Sequence, residues 1–199
     1  GQVAAWLMRG RDLPQAEQLV RLGRKRGLER APELPDTQAL TRRPAAPKRI
    51  RPRTVEDGTM PRSVRAAILE AIRGDDPASA RHFLEQVDAG LSPEARAEWR
   101  QRVAWSYYIE NDDSSALELA ETVAEGSGPW VAEGEWVAGL AAWRLGYCAL
   151  AAESFAEAAR LSTNDELTTA AHYWAHRALV RCREPGEAQA HLVAAARGR

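Results

Sequence analysis

The chain has 199 residues, 45% of them hydrophobic and 28% charged, with a formal net charge of −1. That is enough apolar chain to bury a core; no run nears the roughly 20 apolar residues of a membrane span, and two cysteines exclude a disulfide-built scaffold and a four-cysteine zinc site. Alanine fills 38 positions and isoleucine only four, which favours helix over strand and predicts an all-α fold.

The near-zero charge conceals an asymmetry: residues 1–62 carry a net +7 and the remainder a net −8, and arginine outnumbers lysine 25 to 2. In chain order, residues 2–9 and 13–27 read as a helix hairpin occupying 1–30, with Leu13, Ala16, Leu19, Val20 and Leu22 on one face of its second helix. Six of the eleven prolines then fall between Pro32 and Pro61, and residues 31–60 read as a proline-rich basic connector. From 61 to 199 the helical period returns. Helices are expected at 62–73, 77–88, 93–110, 114–125, 130–146, 149–161, 165–182 and 186–197. Pro61, Pro77 and Pro93 suit first turns, and Asp76 and Ser92 suit N-caps.

Comparing the chain with itself exposes a repeat. RGRDLPQAEQLV (9–20) aligns with RGDDPASARHFL (73–84), and the frame recurs at 112–119, 146–155 and 184–192. The apolar anchors are Leu19, Phe83, Leu119, Phe155 and Leu192, spaced 64, 36, 36 and 37 residues apart. A hairpin of this size cannot cover its apolar face alone, whereas stacked hairpins can. The expected architecture is an α-solenoid, a superhelix of tetratricopeptide-like helix hairpins.

Candidate chemistry is sparse. His172 and His176 share a helix face, but Tyr-Trp-Ala lies between them and no third ligand is evident, so they read as ordinary interhelical or surface histidines. His82 and His191 precede anchors and read likewise. Cys148 and Cys182 fall near neighbouring turns, 34 residues apart, and the spacing leaves their pairing open. The basic run Arg42–Arg53 has no interleaved aromatics and reads as a solvated linker in preference to a nucleic-acid site. Glu133/Glu135 and Asp112/Asp113 read as exposed helix ends and loops. No phosphate-binding glycine loop and no marked acid–base carboxylate pair is present, so no catalytic, cofactor-binding or metal residue is assigned. Trp99, Trp105, Trp136, Trp143 and Trp174 have two readings: core fillers between hairpins, or faces that stack on sugar rings along a groove.

The last 70 residues carry a further pattern. It consists of Trp136 and Trp143 on one helix, the Leu145-Gly146 turn, the Ala-x-x-Phe-x-x-Ala-Ala run at Ala152–Ala159, and the polar loop Ser162-Thr163-Asn164. The helix Ala170–Ala175 with its Tyr-Trp pair and the opening Pro185-Gly186-Glu187-Ala188 complete it. This order resembles the terminal repeats of the superhelical domain of soluble lytic murein transglycosylases. The similarity covers roughly 61–199 and, more weakly, 1–30. The resemblance implies a parent enzyme that cleaves peptidoglycan glycan strands to a 1,6-anhydro product, without metal or organic cofactor, in the periplasm. It also implies a lysozyme-like catalytic domain after the array, with a glutamate in a Glu-Ser pair and a downstream Gly-Leu-Met-Gln. Here the sole Glu-Ser pair, Glu153-Ser154, lies within a repeat helix with no such motif following, so this chain alone is expected to be inactive. The alternative expectation is a non-enzymatic tetratricopeptide-like module that binds a protein partner.

Overall fold

The computed structural model describes residues 2–36, 45 and 48–197. Among these it contains ten α-helices, two short 3-10 turns and no strand, so the protein is all-α. Two compact units are separable, residues 1–45 and 46–199.

The first unit is the hairpin of α1 (Gln2–Gly10) and α2 (Ala16–Lys25), closed over Leu7, Ala16 and Val20 with Val3, Leu19, Leu28, Ala31 and Leu34 around them. Leu13 and Leu22, expected on the same face, are exposed instead. Leu13 lies in the turn before α2 begins, beside Gly10 at the end of α1, and Leu22 sits about 200° around the helix from Val20, off the face that Val20 carries.

The second unit holds α3 (Arg62–Arg73), α4 (Pro77–Glu85), α5 (Pro93–Ile109), α6 (Asp113–Glu121), α7 (Trp130–Leu145), α8 (Cys148–Leu161), α9 (Asp165–Arg181) and α10 (Pro185–Arg197). Each helix packs on the next, and α5 also packs on α7. Pro77 and Pro93 open their helices as expected, whereas Pro61 is not in a first turn but is the extended cap residue before α3. Asp76 accepts from Ser79 N–H at 3.0 Å and Ser92 from Ala95 N–H at 3.1 Å. Asp112 and Asn164 cap α6 and α9 in the same way.

The turns between α3/α4, α5/α6, α7/α8 and α9/α10 share one backbone device. Asp75, Asn111, Gly146 and Arg183 all have positive φ, at positions 36, 35 and 37 residues apart. After each, an amide reaches back five residues: Asp76 to Ala71, Asp112 to Tyr107, Tyr147 to Ala142 and Glu184 to Leu179. This is the Schellman closure, which satisfies carbonyls a helix end would otherwise orphan. The period read from the apolar anchors therefore recurs in the hairpin turns themselves.

Anchors and small residues set the packing. Phe155 is fully buried, and its ring occupies the place where a Cβ on Gly139 would sit, 2.6 Å from the ring carbon. Glycine on α7 thus lets α8 approach closely, with alanines filling both helices around the contact. Phe83 and Leu119 also join the core, whereas Leu192 is 43% exposed on α10. Cys148, the first residue of α8, forms a disulfide with Cys182, the cap residue of α9, with Cα atoms 5.7 Å apart.

Candidate functional site: a groove holding its own chain

The C-terminal part of the connector does not behave as the solvated linker the sequence suggests. Residues 48–60 pack within the second unit against α5, α7 and α9. Arg42, Arg43, Pro44, Ala46 and Pro47, also in that basic run, lie outside the described residues. Arg51 precedes Pro52, and the proline ring disfavours helix at the residue before it, so the segment is held out of helical geometry.

Its contacts follow in order. Arg49 Nη2 donates to Glu133 Oε2 at 2.6 Å; its other guanidinium nitrogen lies 3.7 Å from Glu166, and its plane sits 5.1 Å from the Trp136 ring centroid. Arg51 lies 5.9 Å from the Trp105 ring. The carbonyl of Arg53 accepts from Trp130 Nε1 at 3.0 Å, and Arg102 donates to the Thr54 hydroxyl at 3.2 Å. The Val55 N–H donates to Glu98 Oε2 at 2.6 Å, and the Val55 side chain packs on the core. Beyond it, Asp57 accepts from Ser92 and from both the amide and hydroxyl of Thr59, bonds that hold its carboxyl below the usual range, the Ser92 bond most of all. Met60 closes the segment against the core.

The groove wall is acidic and aromatic. Glu98 is fully buried and Glu133 is 5% exposed. Glu133 is therefore not the exposed helix-end residue the sequence suggested. A glutamate in that setting needs donors around it, and the segment and Arg102 supply them. Glu135 is also no free surface carboxylate: burial, then Glu157 and Glu121, push it up to about 7. Asp112 is an N-cap and Asp113 pairs with Arg144. A cavity of about 460 Å³ opens beside the Val55 end, lined by Glu56, Met60, Arg62, Arg65 and Trp99.

The five tryptophans singled out in the sequence take different places. Trp99 is 1% exposed, packed in the core at the floor of that cavity, with its Nε1 lacking a hydrogen-bond partner among the described residues. Trp105 stacks on Tyr108 with ring centroids 5.4 Å apart and has Arg51 over it. Trp136, Phe155, Trp174 and Trp143 form a chain of rings with successive centroids 5.3, 6.1 and 5.5 Å apart, joining α7, α8 and α9. Arg177 and Arg181 lie over Trp143, and Arg49 over Trp136. Sequence reasoning passed over Trp130, whose indole N–H reaches the segment's backbone. Its position at the first turn of α7, directly after Pro129, was the available signal.

The histidines sit away from the groove. His172 and His191 bring their Nδ1 atoms within 3.0 Å across α9 and α10, and His176 Nδ1 meets the Ala188 carbonyl at 2.8 Å. Burial lowers both His172 and His191, and His191 lowers His172 further. No group of three His, Cys, Asp or Glu suited to a metal occurs among the described residues. Glu153-Ser154 lies on α8, with Ser154 buried. Among the described residues no helix is long and apolar enough to cross a membrane. Comparison with protein-family models, with curated proteins and with solved structures finds no match to this chain.

Proposed function

We propose that the chain is the helical scaffold portion of a soluble lytic transglycosylase acting on peptidoglycan, an α-solenoid of tetratricopeptide-like hairpins with no catalytic group of its own. One observation carries this reading. Four of the residues on which the resemblance rests — Trp136, Trp143, Phe155 and Trp174 — meet in one interlock of α7, α8 and α9 instead of lying scattered. A shared pattern that encodes one packing unit is a stronger sign of common descent than matches without a joint role. Turns recurring at 36, 35 and 37 residues support the solenoid. The Cys148–Cys182 disulfide suits an oxidising compartment such as the periplasm.

The test is twofold. Purified chain is incubated with insoluble peptidoglycan and sedimented, and the same chain is run on a peptidoglycan zymogram. Retention without clearing is the expected result. A cleared band overturns the non-catalytic assignment, and absence of retention removes glycan contact through this portion.

The groove favours a second reading, a module that binds polypeptide. There the chain's own segment is held through its backbone at Arg53 and Val55, contacts that any polypeptide can make.

A further inference from the structure

The groove presents two kinds of recognition at once. Trp130 Nε1 and Glu98 Oε2 grip a carbonyl and an amide two residues apart, which fixes the register of a non-helical strand without regard to side chains. Four residues before the Trp130-bound carbonyl, Glu133 takes a guanidinium at 2.6 Å, under the Trp136 ring and near Glu166. Glu166 Oε2, buried and without a hydrogen-bond partner among the described residues, faces the same guanidinium at 3.7 Å, so two carboxylates converge on the arginine. Trp105 offers a second face two residues further along, where Arg51 rests while remaining exposed. Arginine suits these places better than lysine because its planar fork binds carboxylate and stacks on aromatic faces together.

The wall is incomplete without an occupant of this kind. An empty groove leaves Glu133 and Glu166 side by side with no cation between them, and leaves one oxygen of Glu98 without its amide. Between these contacts the occupant's side chains face solvent, with Ile50 73% exposed and Arg51 and Arg53 exposed.

We infer that this groove is a binding site for a non-helical polypeptide segment bearing arginine four residues before the carbonyl held by Trp130, and that residues 48–56 are its tethered resident. The inference rests on the polypeptide-module reading and gives it a ligand chemistry. A tether supplies an effective concentration in the millimolar range, so an incoming segment competes only when the resident is weakened or outmatched.

The experiment uses the full chain. A labelled peptide Lys-Arg-Ile-Arg-Pro-Arg-Thr-Val-Glu, copying residues 48–56, is titrated by fluorescence anisotropy into the unaltered chain and into Arg49→Glu, which sets like charge against Glu133 and expels the resident. Val55→Pro serves as a second variant. It removes the amide that binds Glu98 while leaving every groove residue intact, and circular dichroism checks that both variants keep their helix content. The expected result is binding at least about tenfold tighter to either variant than to the unaltered chain. A peptide with serine at its first arginine should bind at least about tenfold more weakly. Equal binding of the serine peptide overturns the arginine assignment and leaves a generic polypeptide module standing. Failure of both folded variants to bind either peptide overturns the site and the module reading together.

Discussion

The Val55 amide donates to Glu98 Oε2 at 2.6 Å across 43 residues of sequence, while Arg102 holds the other carboxylate oxygen at 2.8 Å. Glu98 is fully buried, so removing it strands the Val55 amide and takes one of two acceptors from the Arg102 guanidinium. Glu98→Ala should lower stability by about 3 kcal/mol, and Glu98→Gln by roughly 1–2 kcal/mol because the amide oxygen still accepts from Val55. Urea midpoints of the two variants decide it: equal losses would mean that the Val55 bond contributes nothing.

The contact of Gly139 with Phe155 makes a different demand. A methyl group at 139 would lie 2.6 Å from the ring, so Gly139→Ala should cost about 1–3 kcal/mol by overpacking. Phe155→Ala should cost about 3–5 kcal/mol by leaving a cavity in the α7–α8 interface. In the double variant the new methyl group occupies part of that cavity, so the combined loss should be clearly less than additive. Additive losses in chemical denaturation would place the two residues in independent environments.

Acid and neutral pH should act through opposite groups. Burial lowers His172 and His191, so the unfolded chain binds more protons below about pH 6.5 and stability falls as pH drops through that range. Glu135, held at about 7, binds a proton that the unfolded chain releases near 4.5, so its contribution falls as pH rises between those values. Glu135→Gln should therefore stabilise the protein at pH 8 by about 1–2 kcal/mol and leave the acid loss in place. His191→Gln should flatten the acid side alone. Thermal denaturation from pH 5 to 8 separates the two, and an unchanged acid slope in His191→Gln removes the histidine pair as its source.

The bond between Cys148 and Cys182 ties the start of α8 to the end of α9 across 34 residues. Closing a loop of that length should stabilise the fold by about 4 kcal/mol on the chain-entropy account. A Cys148→Ser/Cys182→Ser variant should melt at least several degrees lower, and adding reductant should shift only the parent chain. An identical midpoint for parent and variant would show that the crosslink adds nothing.

The helices and the turns between them were largely legible in the sequence because their determinants are local. Pro77 and Pro93 open helices, Asp76 and Ser92 cap them, and the anchors Phe83, Leu119 and Phe155 mark the period. Leu13 was misplaced for want of α2's true start, which no cap announces, since Gln15 makes no side-chain cap; Leu22 falls off the helical period that Ala16, Leu19 and Val20 set. The groove was illegible for a deeper reason. Arg49 and Glu133 lie 84 residues apart, and no periodicity links a proline-rich segment to the wall it meets. A charge run beside prolines has the composition of a linker whether or not buried glutamates await it. The same holds for Glu133, which reads as a surface residue until the arginine above it is seen.

The docked segment also sets the order in which this unit assembles. Its hydrogen bonds to the helices at Arg49, Arg53 and Val55 close intervals of 84, 77 and 43 residues, whereas each hairpin turn closes within a few. Long intervals carry more closure entropy, so helices and hairpins gather first and the segment threads onto a wall already built. Arg49→Ala should accordingly hasten unfolding while barely slowing refolding in stopped-flow experiments. The last part of the unit to arrive is then the first to leave. Brief excursions from the native state should open the groove before any helix lets go, exposing Glu133 and Trp136 while the scaffold around them stays whole.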